Sequence, residues 1–237
     1  MNLTITRITA RALLGRKRAL LLLPMPALLI GLTLLANGTG VPAADWGPIV
    51  LGEMGITVIL PLTALIVGSS VLGLEIEDGT ITHILAKPLP RREIVLSKLF
   101  VAWGVTTLAA AAPLAVAGAI AGGPGLALGL LGGATLGALA YSAVFLAFSL
   151  LSRRPVAIGL IYIMLWENLL VRFASGAKVL SVQRYTTATA DTISPSELLN
   201  ATLPGVVAAA LAVAVIAAGT MLATMRLRSF ALTGETS

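Results

Sequence analysis

Four stretches of this chain contain no Asp, Glu, Lys or Arg: residues 19–44, 54–74, 99–152 and 198–225, with lengths of 26, 21, 54 and 28. A helix crosses the hydrocarbon of a bilayer with about 20 residues at ~1.5 Å rise each, so uncharged runs of this length predict transmembrane helices. The composition agrees. Hydrophobic residues make up 57% of 237 residues and mean hydropathy is +0.99, well above the roughly 45–50% apolar content of a soluble domain. A membrane β-barrel is excluded, because barrel strands alternate in segments of about ten residues and these runs are continuously apolar.

The longest run must cross twice. Gly122-Gly123-Pro124-Gly125 divides it into two apolar pieces, and a Gly/Pro cluster of this kind predicts the turn of a helical hairpin. Residues 155–171 are apolar except for Glu167 and Asn168 and predict a fifth span. The expectation is an all-α membrane protein, a single transmembrane domain over residues 1–237 with six transmembrane helices.

Basic residues orient it. With the N-terminus inside, thirteen of the sixteen Lys and Arg fall on one side, and only Arg172, Lys178 and Arg184 on the other. Short basic loops resist translocation, so both termini are expected in the cytoplasm and the protein in the inner or plasma membrane of a prokaryotic cell. The pI near 10.3 then has a topological cause. Nucleic-acid binding is not expected, since the cations are dispersed along membrane edges without interleaved aromatics. The basic start, the apolar stretch after it and the small residues Val41-Pro42-Ala43-Ala44 also fit a cleaved leader, but the long, patterned basic segment favours a retained N-terminus.

That segment, residues 2–18, sets Ile5, Ile8 and Ala12 at helical spacing with Arg7, Arg11 and Arg18 on another face. It predicts an amphipathic helix in the headgroup plane. Pro24 and Pro26 then mark the start of the first span. A first outer loop is expected at about residues 37–52, with Trp46 at the interface. A longer, mixed outer segment, 172–203, leaves room for short helices or a re-entrant element. Gly129, Gly133 and Gly137 form a double GxxxG ridge that permits close helix approach, for packing within one subunit or between subunits.

The charged residues concentrate elsewhere. Residues 75–94 hold seven of the chain's 26: Glu75, Glu77, Asp78, Lys87, Arg91, Arg92 and Glu93. Within a cytoplasmic loop of residues 74–97, Asp78 is an N-cap for a short helix at 79–86, Glu75 and Glu77 add negative charge at its positive end, and Pro88 and Pro90 stop it. Ile81, Ile84 and Leu85 form an apolar stripe, with Thr80, His83 and Lys87 on a polar side. Two helical turns are unstable alone in water. The stripe must pack on headgroups or on another protein, and acidic residues at the helix start favour a protein groove. Arg91 and Arg92 can then grip headgroups or partner carboxylates.

Here the sequence resembles the ABC transporter type-2 permease family, whose loop between the second and third spans follows E-x-x-x-G-T, an apolar pair, P-x-x-R and a Lys before the next span. In this chain the pattern stands as Glu75, Gly79, Thr80, Ile84, Leu85, Pro88, Arg91 and Lys98. The resemblance implies that Glu75, Glu77, Asp78, Gly79, Thr80, Ile81, Ile84, Leu85, Pro88, Arg91 and Arg92 form a coupling helix and its flanks, docked on a separate cytoplasmic ATPase. It further implies a dimer of permeases, expected to be a homodimer in membrane lipid, with two ATPase copies that bind ATP and Mg. The chain itself is expected to hold no cofactor or metal and to catalyse nothing. It has no G-x-x-x-x-G-K-[ST] and no cysteine. Its shortness for the family leaves little room for an external domain, so substrates needing one are not expected; the resemblance implies export, of a hydrophobic or amphipathic compound such as a drug, lipid or peptide.

A rival reading uses Glu167. A carboxylate within a span is costly and usually functional, so a proton-coupled secondary transporter is the alternative. Thirteen residues beyond Arg154, Glu167 is expected about 20 Å up a core of roughly 30 Å. There, beside Trp166 and Asn168, it could snorkel as a structural or gating residue. A membrane enzyme is excluded by chemistry: the spans carry no paired carboxylates, nucleophile with base, or metal cluster.

Overall fold

A computed structural model of the chain describes residues 3–15, 22–77, 90–152, 154–170 and 180–233. Among these residues the secondary structure is entirely helical. Helix α1, Leu3–Leu14, carries exposed Arg7 and Arg11 and packs on residues 91–106 and on residues 60–77. Helix α2, Pro24–Gly38, begins at the proline pair, which the first turn tolerates because its N–H groups lack intrahelical acceptors.

Helix α3 is the first departure from expectation. It runs without a break as Ala43–Gly47, a π-helical stretch Pro48–Ile59, and Leu60–Glu77, so the connection from α2 is only four residues long. Pro48 does not end it: the helix before it is a single turn, whose early positions cost nothing for a missing N–H. Trp46, expected at the interface, is buried against the core at 8% exposure.

The hairpin forms from two arms, α4 (residues 91–122) and α5 (124–151). Gly123 sits between them at φ 81°, ψ −170°, a conformation open to glycine, and Pro124 starts the second arm. Helix α6 comprises Pro155–Ile161 and a π-helical stretch Tyr162–Leu170; α7 is Val182–Ile193; α8 is Gly205–Thr233.

Among the described residues, three continuous stretches are long and apolar enough to cross a membrane: Ala43–Gly73, the bent Arg91–Leu151 and Gly205–Ser229. Two shorter apolar helices, Pro24–Gly38 and Pro155–Leu169, join them. Helix α5 is the central post, packed by α3, α7 and α8. Its small residues set the distances. An added Cβ on Gly129 would lie 2.7 Å from the Ala190 carbonyl oxygen, and on Gly133 or Gly137 it would run into Thr186. The glycine ridge is thus filled from within the chain, by α7. Gly68 of α3 lies on Phe145 and Gly219 of α8 on Ala143 in the same manner. Helix α8 is peripheral: only 17% of its apolar window is buried, so most of its surface is left for lipid or a partner.

Buried apolar residues fall into two clusters. One surrounds α5 near the Gly123 bend and takes in α2, α3 and α7; the other joins Val71, Leu72, Ile94, Val95, Leu150 and Leu227 at the opposite end. At that second end Lys98 is fully buried and its Nζ donates to the Val71 carbonyl at 3.0 Å. A buried ammonium is expensive without such acceptors. The bond fastens α4 to α3 on the two sides of residues 78–89.

Candidate functional site: a polar chamber capped by Glu167

Helix α7 cannot start cheaply inside an apolar bundle, because the first N–H groups of a helix have no intrahelical acceptor. Ser181, its N-cap residue, does not accept from its own helix. Glu167 of α6 does so instead. One carboxylate oxygen, Oε1, accepts the Val182 N–H at 2.9 Å and the Tyr162 hydroxyl at 3.1 Å, and Oε2 accepts the Ser181 hydroxyl at 2.6 Å. The carboxylate is therefore held at the positive end of the α7 dipole with three donors. At 2% exposure it does not snorkel, which corrects the sequence expectation. The π-helical turn of α6 makes this reach possible: Asn168 Nδ2 donates to the Ile163 carbonyl at 2.9 Å, satisfying an acceptor in the widened register, and Trp166 Nε1 donates to the Leu180 carbonyl at 3.4 Å.

Glu167 also lines a chamber of ≈ 280 Å³ between α3, α6, α7 and the 198–202 connection. Glu53 and Thr57 enter it from the π-helical part of α3, Asn168 from that of α6, and Gln183, Arg184 and Thr187 from α7. Arg184 Nη1 donates to the Thr202 hydroxyl, tying α7 to the connection before α8. Two π-helical stretches from separate helices thus meet at one cavity, the setting in which such irregular turns are commonly functional. Beneath Glu167 an aromatic block closes the bundle. Tyr141 stacks on Phe145 with centroids 5.7 Å apart, and Tyr162 meets Phe145 and Phe148 edge-on at 6.1 and 5.7 Å. The chamber can hold a hydrated polar group beside carboxylates, amides and a guanidinium.

Of the residues singled out in the sequence, Glu75 and Glu77 fall in the last turn of α3, while Arg91 and exposed Arg92 open α4. Asp78, Gly79, Thr80, Ile81, Ile84, Leu85 and Pro88, and with them the short helix at 79–86, lie outside the described residues. The structure brings Glu167 together with the start of α7. Glu53 escaped the sequence reading because it borders the charge-free run 54–74; the continuation of α3 back to Ala43 puts it inside a helix. Arg184, counted only as a loop cation, is a wall of the chamber.

No curated protein matches the chain in overall sequence. The family model for ABC-2 family transporter proteins matches residues 16–171, well over half of the 237, an interval that includes α2 to α6, the 75–98 pattern and Glu167. The chain, a membrane protein built on long apolar helices, belongs to the ABC-2 transporter family.

Proposed function

We propose that the protein is the permease subunit of an ATP-driven exporter for a hydrophobic or amphipathic compound. Six spans are read as α2, α3, the two hairpin arms, α6 and α8, with both termini and residues 78–89 in the cytoplasm of a prokaryotic cell and α1 lying in the headgroups. Helix α7 is then re-entrant, descending from the outer side. Two copies form the transporter, and two copies of a separate ATPase, binding ATP and Mg, dock on Ile81, Ile84 and Leu85. This chain performs no catalysis.

The observation that carries the mechanism is the continuity of α3. Its last turn adjoins the proposed docking loop, its π-helical stretch walls the polar chamber, and the 35 residues between Ala43 and Glu77 make a rod of about 50 Å. Lys98 pins α4 to the same rod at the loop end. Closure of the ATPases therefore displaces α3 and α4 together, and the far end of α3 moves against α6 and α7. Glu167 holds the start of α7, so α7 serves as the outer gate and Glu167 as the residue positioning it. Substrate passes at the dimer interface, and the gate differs between the two access states.

Reconstitution with the ATPase tests this. Ile84→Asp and Leu85→Asp are expected to abolish ATPase association and ATP-driven transport while insertion is unchanged; normal association overturns the reading. The buried carboxylate favours one rival, a proton-coupled transporter using Glu167. That rival requires flux without ATP, driven by a proton gradient and eliminated by Glu167→Gln.

A further inference from the structure

A second cavity, of ≈ 460 Å³, lies at the opposite end of the bundle from the chamber, between the first turn of α4 and the second half of α8. Its charges sit at the mouth: Arg92 and Arg228, both exposed. Ala217, Met221 and Met225, all exposed, supply its apolar side. Thr220 and Thr224 also line it, but each hydroxyl donates to its own helix, to the Ile216 carbonyl at 2.7 Å and the Thr220 carbonyl at 2.8 Å, so neither presents an unsatisfied donor. From Arg228 to Ala217 the helix rises about 16 Å, half of a hydrocarbon core of roughly 30 Å and therefore the depth of one leaflet.

We infer that this groove binds one anionic phospholipid, its phosphate held by Arg92 and Arg228 and one acyl chain laid along Ala217, Met221 and Met225. Two guanidiniums match a phosphate in charge and in fork geometry, and methionines conform to a flexible chain. Among the described residues no acidic side chain lines the groove; Glu93 follows Arg92 in the first turn of α4 but is not part of the lining. The lipid braces α8, most of whose apolar surface faces away from the protein, against α4. The proposed function enters only in naming the cytoplasmic leaflet as the source.

The test is native mass spectrometry of the full chain, delipidated in detergent and titrated with equal phosphatidylglycerol and phosphatidylcholine. Wild type is expected to retain one phosphatidylglycerol in preference. Each arginine at a membrane surface accounts for about fivefold, so Arg92→Gln with Arg228→Gln lowers the preference roughly 30-fold, Arg228→Gln alone about fivefold, and Arg92→Lys with Arg228→Lys retains a preference. Met221→Trp, which fills the groove, is expected to reduce retention of both lipids. Absence of a headgroup preference in wild type, or undiminished preference in the double glutamine variant, overturns the proposal. So does a Met221→Trp variant that dissociates a dimer without changing lipid retention, since a second copy then occupies the face. Arg228→Gln lies outside the coupling loop, so its co-purification with the ATPase reports on the proposed function separately.

Discussion

Replacing Glu167 distinguishes a capping carboxylate from a passive one. Glu167→Ala removes the acceptor of the Val182 N–H, the Ser181 hydroxyl and the Tyr162 hydroxyl together. Each buried donor left unpaired costs about 1–3 kcal/mol. The hydroxyls can rotate and the chamber can admit water, so a total of roughly 3–5 kcal/mol is expected. Glu167→Gln keeps a carbonyl oxygen for the Val182 N–H and offers an amide to the Ser181 oxygen, which then accepts instead of donating. Its loss is confined to the charge at the α7 N-terminus, about 0.3–2 kcal/mol. At about 2–4 °C per kcal/mol for a chain of this size, the apparent midpoint in detergent should fall by roughly 6–20 °C for alanine and by about 8 °C at most for glutamine. Hydrogen exchange should rise at the start of α7 in the alanine variant. Equal effects of the two substitutions, or an alanine variant unfolding within 2 °C of wild type, would refute the capping role.

Three further outcomes follow from the packing. Gly133→Ala drives a methyl into the Thr186 backbone carbonyl, so α7 must shift, and a cost of about 1–3 kcal/mol is expected by thermal unfolding; Gly104→Ala, with nothing within 4 Å, should be neutral or slightly stabilising. Lys98→Met removes the bond to the Val71 carbonyl, and in reconstituted vesicles the variant should retain ATPase association while ATP hydrolysed per molecule transported rises. Glu53→Ala should alter transport while lowering the thermal midpoint less than Glu167→Ala does, because its side chain is exposed and lines the chamber.

Local chemistry was legible where a single residue type forces an outcome. The Gly122–Gly125 cluster marked the bend because Gly123 alone tolerates its positive φ, and the absence of charge over 54–74 marked α3. The ridge Gly129, Gly133 and Gly137 announced a close approach but not its partner: α7 is more than forty residues away, and its own sequence, rich in Thr and Ala, does not name the surface it fits. Glu167 was identified as an in-span carboxylate, yet its ligands Ser181 and Val182 depend on how the chain returns after α6, which no spacing encodes. The loop expected at 37–52 errs in the opposite direction: helix α3 starts inside it at Ala43, and Pro48 is harmless one turn into that helix. The same distinction applies to Glu53, whose place in the chamber follows from that extra length of helix.

A motor on a separate chain is proposed to hold residues 78–89. The chain has no cysteine, so Leu85→Cys creates a single reactive thiol at the proposed contact. Cross-linking of that thiol in native membranes should capture a nucleotide-binding subunit lacking spans of its own, and the yield should change on addition of ATP. A thiol that labels freely from water or reacts only with lipid-borne reagents, with no nucleotide-binding subunit captured in either nucleotide state, would contradict the account.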